Sequence, residues 1–163
     1  MNKIDYKDIK LIVSDFDGVM TDDNVYLDEN GNESVKLNRS DGLAISHFLK
    51  KNIKVIVISS EKNNVVKKRC AKLKINCFHG VKSKLDTLLE YCSKNNINNN
   101  ELIYIGNDIN DLEIINDTKF SMCPIDANYI IKEKSSLVLK TEGGNGVIRE
   151  VLDLFIQNRI IQI

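Results

Sequence analysis

The chain has 163 residues, 42% of them hydrophobic and 28% charged, with a single Pro and no Trp. That length suits one domain with a sizeable core, and the ordinary Gly content and plentiful apolar residues exclude collagen-like, disulfide-dense and disordered classes. Lys plus Arg and Asp plus Glu both total 23, so the formal net charge is zero and no basic stripe speaks for a nucleic-acid partner.

Met1 to Asp8 is polar, with no apolar segment leading to a cleavage site, and no apolar run reaches the roughly 20 residues of a membrane span. The expectation is a cytoplasmic protein without a membrane partner. Cys70, Cys77, Cys92 and Cys123 have neither CxxC spacing nor a His at finger distance, and read as reduced, small apolar residues.

Residues 9–14 form a short, continuous, β-branched run, the pattern of a strand buried on both faces. Residues 25–27 and 34–37 flank Asn30-Gly31, a hairpin-turn signal. A helix is predicted over 41–51, capped by Asp41 and packing through Leu43, Ile45, Phe48 and Leu49. A strand over 53–58, a helix over 63–73, a brief strand at 77–78 and a helix over 84–94 follow. The Asn-rich stretch 95–100 reads as a polar loop. Next come a strand over 102–106, a short helix over 111–115, a strand over 120–123 stopped by Pro124, and a strand over 136–139. Residues 142–146 form a glycine hinge before an amphipathic helix over 147–155. Regular strand–helix alternation predicts a three-layer α/β/α, Rossmann-like, mostly parallel sheet. With no linker or repeat, 1–163 is one domain, with a hairpin over about 24–38 and a mobile C-terminal segment over about 141–163.

In such sheets ligands bind outside the carboxyl ends of the strands. Four polar clusters fall there. Asp15 and Asp17 leave the first strand as Asp15-Phe16-Asp17-Gly18, alternate carboxylates that suit a cation or acid–base chemistry, or equally an Asx turn or cap. Ser59-Ser60 follows the next long strand and suits a phosphate oxygen, or an N-cap. Lys84 opens a helix, against the helix dipole, a placement that wants a partner unless it is an ordinary surface lysine. Gly106-Asn107-Asp108-Ile109-Asn110-Asp111 gathers carboxylates and carboxamides as in a hard-cation site, with helix capping as the competing account.

In that order these clusters resemble the haloacid dehalogenase superfamily of phosphohydrolases, from about residue 10 to residue 155. The resemblance implies Asp15 as nucleophile, Asp17 as general acid/base, Ser59, Ser60 and Lys84 on the phosphoryl group, and Mg2+ held by Asp15, Asp17, Asn107 and Asp108, with Asp111 supporting them. Between Thr21 and Asp41 there is room for the hairpin but not for a cap domain. This looks like the capless branch of 3-deoxy-D-manno-octulosonate and nine-carbon keto-acid phosphate phosphatases, in which hairpins of a homotetramer meet and each neighbour closes the next site. Ser40-Asp41-Gly42 and the segment from Gly143 to Glu150 resemble the same branch. Glu61, with Arg69 and Lys72, looks more like the nine-carbon enzymes (ketodeoxynononate or N-acetylneuraminate 9-phosphate) than the octulosonate enzymes, and Arg149 is a candidate for the leaving group or a phosphate. Asn107 departs from the usual Gly-Asp-Asp. That departure raises a second class of function, a catalytically weak tetramerisation module of the kind fused to sialic acid cytidylyltransferases.

Overall fold

The computed structural model describes residues 5–162, so the first four residues of the polar N-terminal stretch and Ile163 lie outside the described residues. In chain order the elements are β1 (Leu11–Ser14), the hairpin strands β2 (Tyr26–Leu27) and β3 (Glu33–Ser34), α1 (Arg39–Lys50), β4 (Lys54–Ser59), α2 (Asn64–Leu73), β5 (Asn76–His79) and α3 (Lys84–Asn95). They continue with β6 (Leu102–Ile105), α4 (Leu112–Asp117), β7 (Ser121–Cys123), α5 (Tyr129–Lys134), β8 (Leu137–Val138) and α6 (Val147–Gln157). Six strands form one sheet in the order β5-β4-β1-β6-β7-β8, and every pairing in it is parallel. The expected three-layer architecture is present.

Burial on both faces explains the unbroken apolar strands. Ile12, Val55 and Ile103 pack with α1, α2 and α6 on one face, while Leu11, Val13 and Ile56 pack with α3, α4 and α5 on the other. Phe48 of α1 and Phe155 of α6 meet edge to face at 5.1 Å, so the C-terminal helix is part of the core. The four cysteines are free thiols, three of them buried and Cys77 half-buried. Among the described residues no helix is long and apolar enough to cross a membrane.

Three local expectations are corrected. Asn38, not Asp41, caps α1, accepting the Ser40 N–H at 2.9 Å. Asp41 instead lies on the buried stripe with Ala44, Ile45 and Phe48, and this i, i+3, i+4, i+7 phase leaves Leu43 and Leu49 exposed. The six-residue helix α5, absent from the sequence reading, begins at an Asn128 cap and buries only Ile131, too little to make a period visible. The hairpin is shorter than expected, with Tyr26 opposite Ser34 and Leu27 opposite Glu33, and Leu37 pairs separately with Thr21.

Candidate active site

The carboxyl ends of β1, β4 and β6 converge on a cavity of about 380 Å³. At the end of β1 the Asp15 N–H donates to Ile105 O at 2.8 Å, which carries the parallel pairing one residue past the strand. The chain then curls sharply: the N–H groups of Met20 and Thr21 both donate to Phe16 O, and Phe16, Val19 and Met20 plug the core. Gly18 sits in the left-handed region at φ +72°, and a Cβ there would fall 1.8 Å from the Asn107 carboxamide nitrogen. The first loop and the Gly106–Asp111 loop can therefore touch only because residue 18 has no side chain.

Lys84 lies beneath the cavity. Its Nζ donates to Asp15 Oδ2 at 2.7 Å and to Asp111 Oδ1 at 2.6 Å, and all three residues are buried. This resolves the unfavourable place of a cation in the first turn of α3: two carboxylates hold it against the dipole. Burial would lower the lysine's pKa, but the two carboxylates outweigh it and raise it. Burial and the Asp111 charge push Asp15 upward, with Lys84 and the Phe16 N–H (2.7 Å to Oδ1) pulling back. Asp111 also accepts the backbone N–H of Asn107 at 2.8 Å and of Asp108 at 3.3 Å through Oδ2, and a Cβ at Gly106 would lie 2.5 Å from that oxygen.

Asp15, Asp17, Ser59, Ser60, Glu61, Asn107 and Asp108 all line the cavity, so the structure brings together most of the residues singled out in the sequence. Asp17 is half-buried and takes the Thr21 hydroxyl at 3.4 Å; burial first, then the charges of Asp23 and Glu61, raise its pKa. Ser59 is buried, its hydroxyl accepting the Glu61 N–H at 3.2 Å. Three candidates lie elsewhere in the single chain. Arg69 donates to Asn38 O at 3.0 Å, Lys72 is exposed on α2, and Arg149 pairs with Asp153 at 3.0 Å on α6. Sequence reasoning missed Asp23, Val25, Glu33, Val35 and Asn63 as lining residues, and Tyr104 beneath the floor. The hairpin supplies three of them, and a short exposed strand carries no signal of which face turns inward.

The lining includes six acids and no Lys, Arg or His, so its field repels an anion unless a cation intervenes. Among the described residues no three His, Cys, Asp or Glu side chains gather closely enough to hold a metal ion. Asn107 supplies what is missing: its Oδ1 is buried and has no hydrogen-bond partner. Two carboxylates and an orphaned carboxamide oxygen, all hard oxygen donors, fit a small divalent cation.

Residues 20–151 match the family model of haloacid dehalogenase-like hydrolases. The chain belongs to that family. It is 32% identical over 151 residues to the 3-deoxy-D-manno-octulosonate 8-phosphate phosphatase of Salmonella typhi, covering 92% of this chain and 80% of that one. A HAD family hydrolase of Streptomyces avermitilis superposes with a TM-score of 0.87 at 36% identity, over 90% of both chains. The 3-deoxy-D-manno-octulosonate 8-phosphate phosphatase of Moraxella catarrhalis, solved with a magnesium ion, a phosphate ion and KDO, superposes with a TM-score of 0.89 at 27% identity, over 94% of this chain and 90% of that one.

Proposed function

We propose that this chain is a Mg2+-dependent phosphomonoesterase that removes phosphate from 3-deoxy-D-manno-octulosonate 8-phosphate. The observation that carries the reading is the buried Lys84 held between Asp15 and Asp111 beneath an acid-lined cavity. Burying three charges is costly, and a scaffold has no use for them. The eight-carbon substrate is preferred to the nine-carbon one for two reasons. Relatives that span most of the chain carry that activity in their names, and of Glu61, Arg69 and Lys72 only Glu61 lines the cavity.

Asp15 and Asn107 would hold the Mg2+ through side-chain oxygens and Asp17 through its backbone oxygen, which would leave the Asp17 carboxyl free to carry a proton, with Asp108 beside them. When bound, the cation offsets the repulsion between the acidic cavity and a phosphate dianion. An oxygen of Asp15 then bonds to phosphorus as the bond from phosphorus to the sugar oxygen breaks. Asp17, protonated, gives its proton to the departing alkoxide. The aspartyl-phosphate is cleared in a second displacement. Asp17, now a carboxylate, takes a proton from water, the water oxygen bonds to phosphorus, and Asp15 leaves as a carboxylate with inorganic phosphate. Lys84 and the Ser59 hydroxyl hold the phosphoryl oxygens throughout. A homotetramer of about four times 18.5 kDa, with neighbouring hairpins closing the cavity, completes the proposal.

Phosphate release with Mg2+ is measured on octulosonate 8-phosphate, ketodeoxynononate 9-phosphate, N-acetylneuraminate 9-phosphate and p-nitrophenyl phosphate. The eight-carbon substrate is expected to give the highest kcat/KM, and Asp15→Asn is expected to lower kcat by more than about 1,000-fold. Preference for a nine-carbon substrate overturns the substrate assignment alone. No release from any of them overturns the hydrolase reading.

A further inference from the structure

Tyr104 lies on β6, fully buried under the cavity floor, and no part of its ring reaches solvent. Its hydroxyl donates to Asp111 Oδ1 at 2.5 Å, the same oxygen that receives Lys84 at 2.6 Å. The other oxygen takes the two backbone N–H groups of Asn107 and Asp108. A carboxylate offers about four lone-pair directions, and here four donors fill them. Burial and the charges of Asp111 and Asp15 drive the phenol's pKa far upward, so it stays a donor.

The geometry points to Tyr104 as a positioning residue for phosphoryl transfer, saturating Asp111 so that the Lys84 ammonium stays shared with Asp15 and the phosphoryl group bonded to it. The inference rests on the hydrolase reading above. Lys84 has three N–H donors; one goes to Asp15 and one to Asp111, which leaves one for the phosphoryl group. As the aspartyl-phosphate forms, the negative charge on Asp15 passes to phosphoryl oxygens, and the fixed charge on Asp111 becomes the competing attraction. Without the phenol, Asp111 would present an empty lone-pair direction in a dry pocket, where an unmet acceptor is costly. Lys84, the nearest mobile donor, would turn to fill it. The loss would then be felt where charge moves, in kcat, rather than in ground-state binding.

Tyr104→Phe keeps the ring and removes only the hydroxyl. With Mg2+ and p-nitrophenyl phosphate, kcat is expected to fall about tenfold with KM within about twofold, and the same change in an Asp111→Asn background is expected to alter kcat by less than about twofold. An unchanged kcat, or an equal loss in both backgrounds, overturns the assignment. Should Tyr104→Phe fail to fold, the wild-type proton spectrum decides: a downfield, slowly exchanging Tyr104 hydroxyl proton is expected, and its absence overturns the assignment. A wild type that hydrolyses nothing overturns the hydrolase reading itself, and the assignment with it.

Discussion

At the floor of the cavity and just beneath it, Asp15, Lys84 and Asp111 are each 5% exposed or less, and each charge has a partner within 2.7 Å. On the rim the hairpin strands are two residues long, and Val25, Tyr26 and Leu27 stand 55%, 58% and 68% exposed. The floor is complete within one chain. The hairpin contrasts with it: so short a ribbon is marginal by itself, and although Val35 and Leu37 pack on the core, Val25, Tyr26 and Leu27 stand largely in solvent. It is tied to the body by the Leu37–Thr21 pairing, by Asn63 donating to Glu33 at 3.0 Å and by Lys36 reaching Asp22 at 3.4 Å. The charged floor is thus fixed within one chain, while the exposed hairpin is where the proposed assembly would close the cavity.

The largest effect is expected on the floor. Lys84→Met fills much of the same space but leaves Asp15 and Asp111 buried without their shared cation, at a cost of about 3–5 kcal/mol. Urea denaturation at pH 7 should show that loss together with abolished phosphatase activity. A variant as stable as wild type would mean that the floor does not depend on its ion pairs.

The rim should respond in the opposite sense. Tyr26→Ser combined with Leu27→Ser removes exposed apolar surface, so the stability of the isolated chain should move by about 0.5 kcal/mol or less. Light scattering should show the solution mass falling from about four times 18.5 kDa toward the single chain. Turnover of the sugar phosphate should drop about tenfold while p-nitrophenyl phosphate is hydrolysed as before, because only the larger leaving group needs a closed rim. A wild type that is already monomeric would remove the assembly from the account.

A smaller change is expected where the two loops of the floor meet. Asn107→Asp places a charge where an orphaned carboxamide oxygen now sits, and should tighten Mg2+ about tenfold by calorimetry. An unchanged affinity would show that this side chain is not a ligand.

Floor and rim also differ in how far the residues themselves announced them. The buried strands announced the sheet because β-branched runs have one cheap destination, and the rule that ligands sit at strand ends then collected Asp15, Ser59 and Asn107 without further information. Lys84 was visible as a cation at the wrong end of a helix. Tyr104 was not, because an aromatic residue in an apolar strand looks like core until its hydroxyl is seen to meet Asp111. Resemblance alone assigns Arg69 and Arg149 to the substrate, whereas in the single chain Arg69 serves the start of α1 and Arg149 pairs along α6. Partner choice for long cationic side chains depends on which carbonyl or carboxylate lies within reach, and periodicity says nothing about that.

The root of the rim holds one buried carboxylate that lacks what the floor provides. Asp41, 1% exposed, accepts the Arg149 N–H at 3.0 Å and so joins the starts of α1 and α6, but its Oδ2 has no hydrogen-bond partner. Burial raises its pKa from 3.8 to about 6, with the Arg149 and Ile148 N–H groups and the Arg69 charge pulling only partly back. A carboxyl group with a raised folded-state pKa holds its proton more tightly when folded than when unfolded. Its ionisation therefore costs stability progressively between about pH 4 and pH 6, and the full cost is present above that window. Asp41→Asn keeps an oxygen for the Arg149 N–H and removes the titration. The stability of the variant minus that of wild type should rise by about 2–3 kcal/mol between pH 4 and pH 7 in urea denaturation. A gap that stays constant across those pH values would place Asp41 at its ordinary pKa and remove the cost of its burial from the account.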